Sequence, residues 1–397
     1  MKIAIIGGGA SGIATAIFSK RICKENSVTV FERSDRVLKK LLATGNGRCN
    51  LSNKSISSDN YFSHNAKMLS PILSAFTPDD ERQFFESLGI LLCEESGRIY
   101  PYSRRANAVS DALRFECEHL GIKIRTGAFI KSIDKKGNYF SVLGETFDKV
   151  VISSGGMSAP SFGTDGSAFN LLKSLGHTIT DTCYALSPIK VREKVTKLKG
   201  IRAHCTVTLT EGGKPVKKEK GELQLTDYGL SGIAIMQLSR LCKKGSVIEI
   251  DLVPEYEKGE FLSILKARAK SLSHFKADDF LTGFLHKALG QYILEKCNIN
   301  IGKEVSSLTD NDLEKLAEMI KALPFTVESV LGKEQSQATC GGARLNEFDP
   351  VTLESKKVHG LYCTGEALDC VGDCGGYNLH WAWTTAYLVG NGINKNA

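Results

Sequence analysis

Residues 3–6, IAII, form an apolar run that stops at GGGASG and is followed by a helix-like stretch through Lys20. That order predicts a strand, a tight turn and a helix. A second run, VTVFE at 28–32, predicts a strand ending in Glu32. Residues 121–153 alternate in short segments, GAFIKSI among them, and close on the apolar KVVIS, which predicts several short strands. From about residue 188 the pattern changes. AHCTVTLTEGGKPVKKEKGELQLTDYG and SVIEIDLVP read as strands joined by glycine turns, predicting a small antiparallel barrel or sheet. Beyond Pro254, apolar residues recur at three- and four-residue spacing in FLSILKARAKSL, FLTGFLHKALGQYILEKC and LTDNDLEKLAEMIKAL, so helices take over. FTVESVLG then returns in extended form and HGLYCTGEALD closes the first domain. The expectation is an α/β chain with a Rossmann-like domain over 1–188 and 324–397. A β-rich, barrel-like insert over 189–255 and a small helical subdomain over 256–323 interrupt it.

Composition changes this picture little. At 397 residues and 43.2 kDa the chain exceeds one simple core, since single cores stop growing near about 250–300 residues. Hydrophobic content of 42% and charged content of 24% are ordinary, and 38 glycines are somewhat above average usage. No run of eighteen apolar residues occurs, and the N-terminus enters a strand without a basic region and cleavage site, so a cytoplasmic protein with no membrane partner is expected. Twelve cysteines without CxxC spacing fit reduced thiols, mostly small buried apolar residues. The net charge of +7 is spread through segments such as KVTKLKG and KPVKKEKG rather than gathered with aromatics, so nucleic acid is not the expected partner. The oligomeric state stays open, a monomer included.

The candidate chemistry begins at the first turn. Gly7, Gly9 and Gly12, with Ala10 and Ser11 between them, follow a strand and open a helix, and Glu32 ends the next strand twenty residues after Gly12. Dinucleotide binding requires this context: glycines for the turn and for backbone approach, helix amides facing a pyrophosphate, and an acid for ribose hydroxyls. The fingerprint serves NAD and FAD alike. KLLATGNGRCN at 40–50 then places Gly45, Gly47, Arg48 and Asn50 where a second loop can reach a diphosphate.

GGGASG, Glu32, TGNGRCNLSN, GRIYPYSRRA at 97–106, VVISSGGMSAPSFGTDGSA at 150–168 and GEALDCVGDCGGYNLHWAW at 365–383 occur in that order over nearly the whole chain. Together they resemble the family of single-Rossmann flavoproteins that includes BaiN-like reductases and aminoacetone oxidases. The resemblance implies one tightly held FAD on the interrupted Rossmann domain, with NAD(P)H as a transient electron donor in the reductase version. It implies FAD contacts from Arg33, Lys40 and Cys49 besides the motif residues above, and from the backbone near Ile130 at the adenine. Ser154, Gly155 and Gly156 form a turn that passes close to the cofactor. Gly365 and Glu366 stand where flavoproteins offer an acid to the ribityl hydroxyls. Gly376, Tyr377, Asn378 and Leu379 open the last helix, whose amides suit the negative edge of a reduced flavin. No second strand–GxGxxG–helix unit follows, so a separate NAD(P)H domain is missing.

Three departures from the family pattern stand out. Thr226-Asp227-Tyr228-Gly229-Leu230-Ser231-Gly232-Ile233 replaces THxGxSGP, with Asp for His and Ile for Pro. Cys340 and Ala343 stand in TCGGA instead of TAGGV, and Leu38-Lys39 precede Lys40 instead of Gly-Arg. Cys370 and Cys374 form a CxxxC pair that a thiol oxidoreductase would use, but such enzymes carry the second dinucleotide domain absent here. Zinc would need two more ligands at matched spacing, so no metal is expected. No residue announces itself as an acid or base: Tyr100, Tyr102, Arg104, Tyr377 and His380 are weak candidates, each with a bland alternative, such as a core tyrosine or a histidine on a helix surface. The expected activity is FAD-dependent oxidoreduction of a small molecule. Reduction of an unsaturated or oxo substrate by NAD(P)H and oxidation of an amine with oxygen are both open, and a flavoprotein docking RNA ranks below them.

Overall fold

The computed structural model describes residues 1–395, which divide into two compact units, Met1–Ala185 with Gly332 onward, and Leu186–Leu331. In the first unit a five-stranded parallel sheet runs in the order Leu361–Cys363, Lys149–Ile152, Lys2–Ile6, Ser27–Phe31, Lys123–Arg125. Its inner strands are mostly apolar because helices and loops cover both faces: Ile3, Ile5, Val30, Val150 and Ile152 are buried. The first helix, Ala10–Ile22, packs along the C-terminal helix Tyr377–Lys395, and Gly390 permits the approach, since a Cβ there would lie 2.5 Å from that of Phe18. An antiparallel meander, Asp134–Lys136, Tyr139–Val142 and Glu145–Phe147, crosses over to Lys149–Ile152. GAFIKSI is not among its strands. Gly127 turns at φ +68, and the segment after it runs without ladder partners, although Ile130 is buried.

The second unit contains a closed six-stranded barrel: Ile189–Val191, Gly229–Ser231, Lys214–Leu225, Arg202–Glu211, Val247–Asp251 and Leu323–Val330. Cys205, Val207 and Leu209 alternate into its core as the period of a strand requires. Two expected boundaries shift here. The segment FTVESVLG belongs to the barrel rather than to the returning Rossmann part, because Leu323–Val330 pairs with both Val247–Asp251 and Ile189–Val191 and closes the ring. The helices do not form a subdomain of their own: Phe261, Leu265, Leu289, Ile293, Leu313 and Leu316 share one apolar core with the barrel strands. Helix Asp310–Lys321 starts from a Thr309 capping box and buries Leu313, Leu316, Ala317 and Ile320, as its spacing predicts. FLTGFLHKALGQYILEKC is not one helix: the short helix Ala277–Phe280 ends at its first residue, Gly283 at φ +104 interrupts the run, and helix resumes over Lys287–Lys296. Among the described residues no helix is long and apolar enough to cross a membrane.

Candidate functional site

The first strand delivers three glycines that do different work. Gly7 sits at φ +112, where a Cβ would lie 2.5 Å from the Ser153 carbonyl oxygen, and a Cβ on Gly12 would run into the carbonyl oxygen of Gly7. Both are packing requirements. Gly9 has nothing within 4 Å of where its Cβ would stand. Helix Ala10–Ile22 starts at Gly9 with no side-chain cap and no acid in its first turn, so its first amides keep their positive end toward that open space. The Glu32 carboxylate accepts the N–H of Gly8 at 2.8 Å and of Ser34 at 2.7 Å, fixing the loop that the ribose would meet. Arg33 pairs with Asp165 and lies over the Phe129 ring, and Ala128 donates to the Glu32 carbonyl at 2.8 Å, which brings the Ile130 segment beside the same strand end.

The second loop is built from left-handed backbone. Gly45, Asn46, Gly47 and Cys49 all have φ between +56 and +79 after the short helix Lys39–Ala43. Burial pushes the Cys49 thiol up to about 12, so its contribution is main chain and not sulfur. Arg48 lies 4.8 Å over the Tyr100 ring and Arg104 5.0 Å, both guanidiniums reaching Glu95. Lys40 Nζ donates to Glu366 at 2.7 Å, and the other Glu366 oxygen accepts the Thr339 N–H at 2.5 Å. Gly365, at φ +66, would place a Cβ 2.6 Å from Ser11 Oγ. The first and last motifs therefore meet, although more than three hundred residues separate them.

At the C-terminal end Gly376, φ +102, is pressed against the Ser52 carbonyl, where no side chain fits. The Asn378 side chain accepts from Gly372 N and donates to Gly372 O, each at 2.9 Å, so it closes the preceding loop, and only its main chain stays available. Leu379 packs on the core. Trp381 and Trp383 are buried and donate to the Gly365 and Leu51 carbonyls.

Several weak catalytic candidates lie elsewhere than expected. His380 is no surface residue: it is fully buried, its Nδ1 2.6 Å from Glu81 and 3.1 Å from Ser52. Tyr102 is 67% exposed and lines an open groove of about 700 Å³ with Leu91 and Phe115, and none of the expected cofactor residues borders it. Tyr100 is held under the two arginines, and burial raises the Tyr377 phenol. No disulfide joins Cys370 and Cys374, and burial raises both thiols, Cys370 well above the ordinary range, the reverse of a thiolate nucleophile. Asp227, the departure from the family's histidine, is in a surface ion pair with Lys199 at 2.7 Å. The sequence reading missed His64 and Asp369. Asp369 is fully buried and His64 lies against it at 3.0 Å; the signal was an acid inside the apolar run ALDCV.

An FAD fits these residues. Asn50 Oδ1 and Ser154 Oγ are buried without a hydrogen-bond partner, and such atoms are rare unless a bound group satisfies them. Both lie in loops the sequence assigns to the cofactor, as does the vacant approach at Gly9. The fold and this cradle define an FAD-dependent oxidoreductase on a single Rossmann-type domain. The chain belongs to the HI0933-like family, whose Rossmann-domain model matches residues 1–392. It is 36% identical to a 3-dehydro-bile acid delta(4,6)-reductase of Clostridium scindens, over 98% of each chain. It is 28% identical to a ribosomal RNA dihydrouridine synthase of Haemophilus influenzae, again over 98% of each. A solved Escherichia coli quinol fumarate reductase FrdA chain shares the fold at 12% identity and a TM-score of 0.50, covering 100% of this chain and 70% of that one.

Proposed function

We propose that this enzyme uses NAD(P)H to reduce a carbon–carbon double bond conjugated to a carbonyl in a small molecule. The observation that carries this reading is the full-length relationship to a 3-dehydro-bile acid delta(4,6)-reductase. A 3-oxo group beside double bonds at positions 4 and 6 is a conjugated dienone, and the 5,6 bond of uridine, the substrate bond of a dihydrouridine synthase, is likewise conjugated to a carbonyl. The overall reaction consumes NAD(P)H and one proton and places a hydride and a proton across the double bond. Bound FAD supplies the two-electron carrier between donor and acceptor.

The chain's own residues hold and bias that carrier. Amides at the start of helix Ala10–Ile22 receive the diphosphate, Glu32 the adenosine ribose, and the Lys40–Glu366 pair the ribityl chain. Asn50 and Ser154 supply the unsatisfied polar atoms that the flavin meets. The N-terminus of helix Tyr377–Lys395 favours negative charge beside it, which makes reduction easier. Twelve unbridged cysteines support a reducing cytoplasmic setting.

A second reading places the double bond in RNA. It is favoured by the dihydrouridine synthase relatives and by the exposed lysines 214, 217, 218 and 220 on the strand Lys214–Leu225. Anaerobic mixing separates the readings. NAD(P)H bleaches the yellow protein and a steroid dienone restores the colour if the first holds. Bleaching by an amine, with oxygen as the acceptor, points to an oxidase, and recolouring by uridine-containing RNA alone favours the second.

A further inference from the structure

Reduction of a conjugated double bond needs an acid as well as a hydride. When hydride reaches the carbon remote from the carbonyl, the electron pair of the double bond moves to the carbon beside the carbonyl, and that carbon must take a proton. None of the residues offered by the sequence supplies it convincingly. His380 is fully buried, its Nδ1 on Glu81 and Ser52 and its Nε2 closed off from any surface, Tyr102 faces a separate groove, and burial raises the Tyr377 phenol.

We propose that His64, held by Asp369, is the acid that delivers this proton. Asp369 is fully buried, and His64 Nδ1 lies 3.0 and 3.2 Å from its two oxygens. The same carboxylate accepts the His64 main-chain N–H at 3.0 Å, and Ser63 Oγ stands 3.4 Å from it. One buried acid thus pins both the ring and the backbone of a single histidine, and the edge of the Phe62 ring packs against the imidazole with centroids 5.4 Å apart. The imidazole side chain is nevertheless 42% exposed. With Nδ1–H directed at the carboxylate, Nε2 is the nitrogen left to present a proton, the division of labour that makes a carboxylate-oriented histidine an acid–base catalyst.

Position supports the assignment. Tyr61–Phe62 pairs with Val371–Gly372, with Gly372 opposite Tyr61. Gly372 is in turn clamped by Asn378 at the start of the C-terminal helix. The two-residue strand ends at Phe62, and His64 stands in the turn just after it, tied by Asp369 to the chain segment that leads into the C-terminal helix. In the step, Nε2 gives its proton to the carbon beside the carbonyl, the N–H electron pair stays on the imidazole, and water returns a proton to the ring. The inference rests on the conjugated-alkene reading above.

The test uses FAD-loaded enzyme reduced anaerobically and mixed with either a steroid 4,6-dien-3-one or 1,4-benzoquinone, whose reduction puts no proton on carbon. His64→Gln is expected to slow the dienone reaction about 100-fold relative to the quinone reaction, within the 10²–10⁴ range of general acid catalysis. Asp369→Asn moves the same ratio in the same direction. A second readout needs no turnover. In the oxidised enzyme, saturating dienone should slow carbethoxylation of His64 at least five-fold while leaving the exposed His119 unaffected. If wild-type enzyme reduces the dienone and His64→Gln does so with an unchanged ratio, or if His64 gains no protection, the assignment is overturned while the reductase reading stands. If wild-type enzyme reduces quinone but never the dienone, the reductase reading falls and the assignment with it.

Discussion

Gly9 offers the sharpest test of the cradle because its side chain would enter empty space. An alanine there meets no protein atom within 4 Å, and the backbone at φ −77, ψ −171 accepts any L residue. The free protein should therefore fold as before, with a stability change under about 1 kcal/mol, the scale of a poorer N-cap. The methyl would occupy the approach of the diphosphate to the helix amides. Losing one charge-assisted hydrogen bond costs about 1.5–3 kcal/mol, so FAD affinity should fall about 10- to 150-fold. Gly7→Ala is the contrast: its Cβ would lie 2.5 Å from Ser153 O where ordinary contact begins at 3.4 Å, so the neighbour must retreat by about 0.9 Å, at φ +112. Strain and overpacking together cost about 2–5 kcal/mol, a fall in Tm of about 2–6 °C at this size. Thermal unfolding of deflavinated protein and titration with FAD by fluorescence read the two quantities separately. A Gly9→Ala protein that binds FAD within two-fold of wild type, with native Tm, would refute the cradle.

Glu32→Gln keeps one acceptor for Gly8 or Ser34 but loses the charge and one of the two bonds, so FAD affinity measured by the same titration should drop about 10-fold. Cys370→Ser and Cys374→Ser should retain FAD and turnover within about three-fold, because burial keeps both thiols protonated; abolished turnover with flavin still bound would restore the thiol mechanism. Glu347 should govern part of the acid limb of stability. Desolvation pushes its carboxyl up, but Lys357, Thr178 and His177 together outweigh that and hold it at about 2. A depressed carboxyl stabilises above its unfolded value and loses that stability as pH falls. The loss therefore spans about pH 4.5 to 2 and amounts to at most about 3 kcal/mol. Glu347→Gln should flatten that segment in urea titrations, and an unchanged slope would contradict it.

The parts of the molecule that were legible in the sequence are those where local pattern and tertiary need coincide. IAII, VTVF and KVVI are apolar because a parallel strand is buried on both faces, and Gly7 and Gly12 are glycine because carbonyl oxygens occupy the space of a side chain. Where a long-range partner decides, the reading failed. FTVESVLG has no local mark of belonging to a barrel; only pairing with Val247–Asp251 and Ile189–Val191 gives it away. His380 looked like a surface histidine because the acid that binds it, Glu81, is 299 residues away in the chain. His64 and Asp369, 305 residues apart, were missed for the same reason.

The central claim is that this cradle carries FAD for reduction of a conjugated double bond. The direct measurement is anaerobic stopped-flow absorbance of the purified protein, first with NADH or NADPH and then with a steroid 4,6-dien-3-one. The account predicts yellow protein with one FAD per chain, bleaching by the nicotinamide, and return of the colour as the dienone is consumed in equal amount. Protein that stays colourless with added FAD, or flavin that the dienone cannot reoxidise while an amine reduces it, would contradict the account.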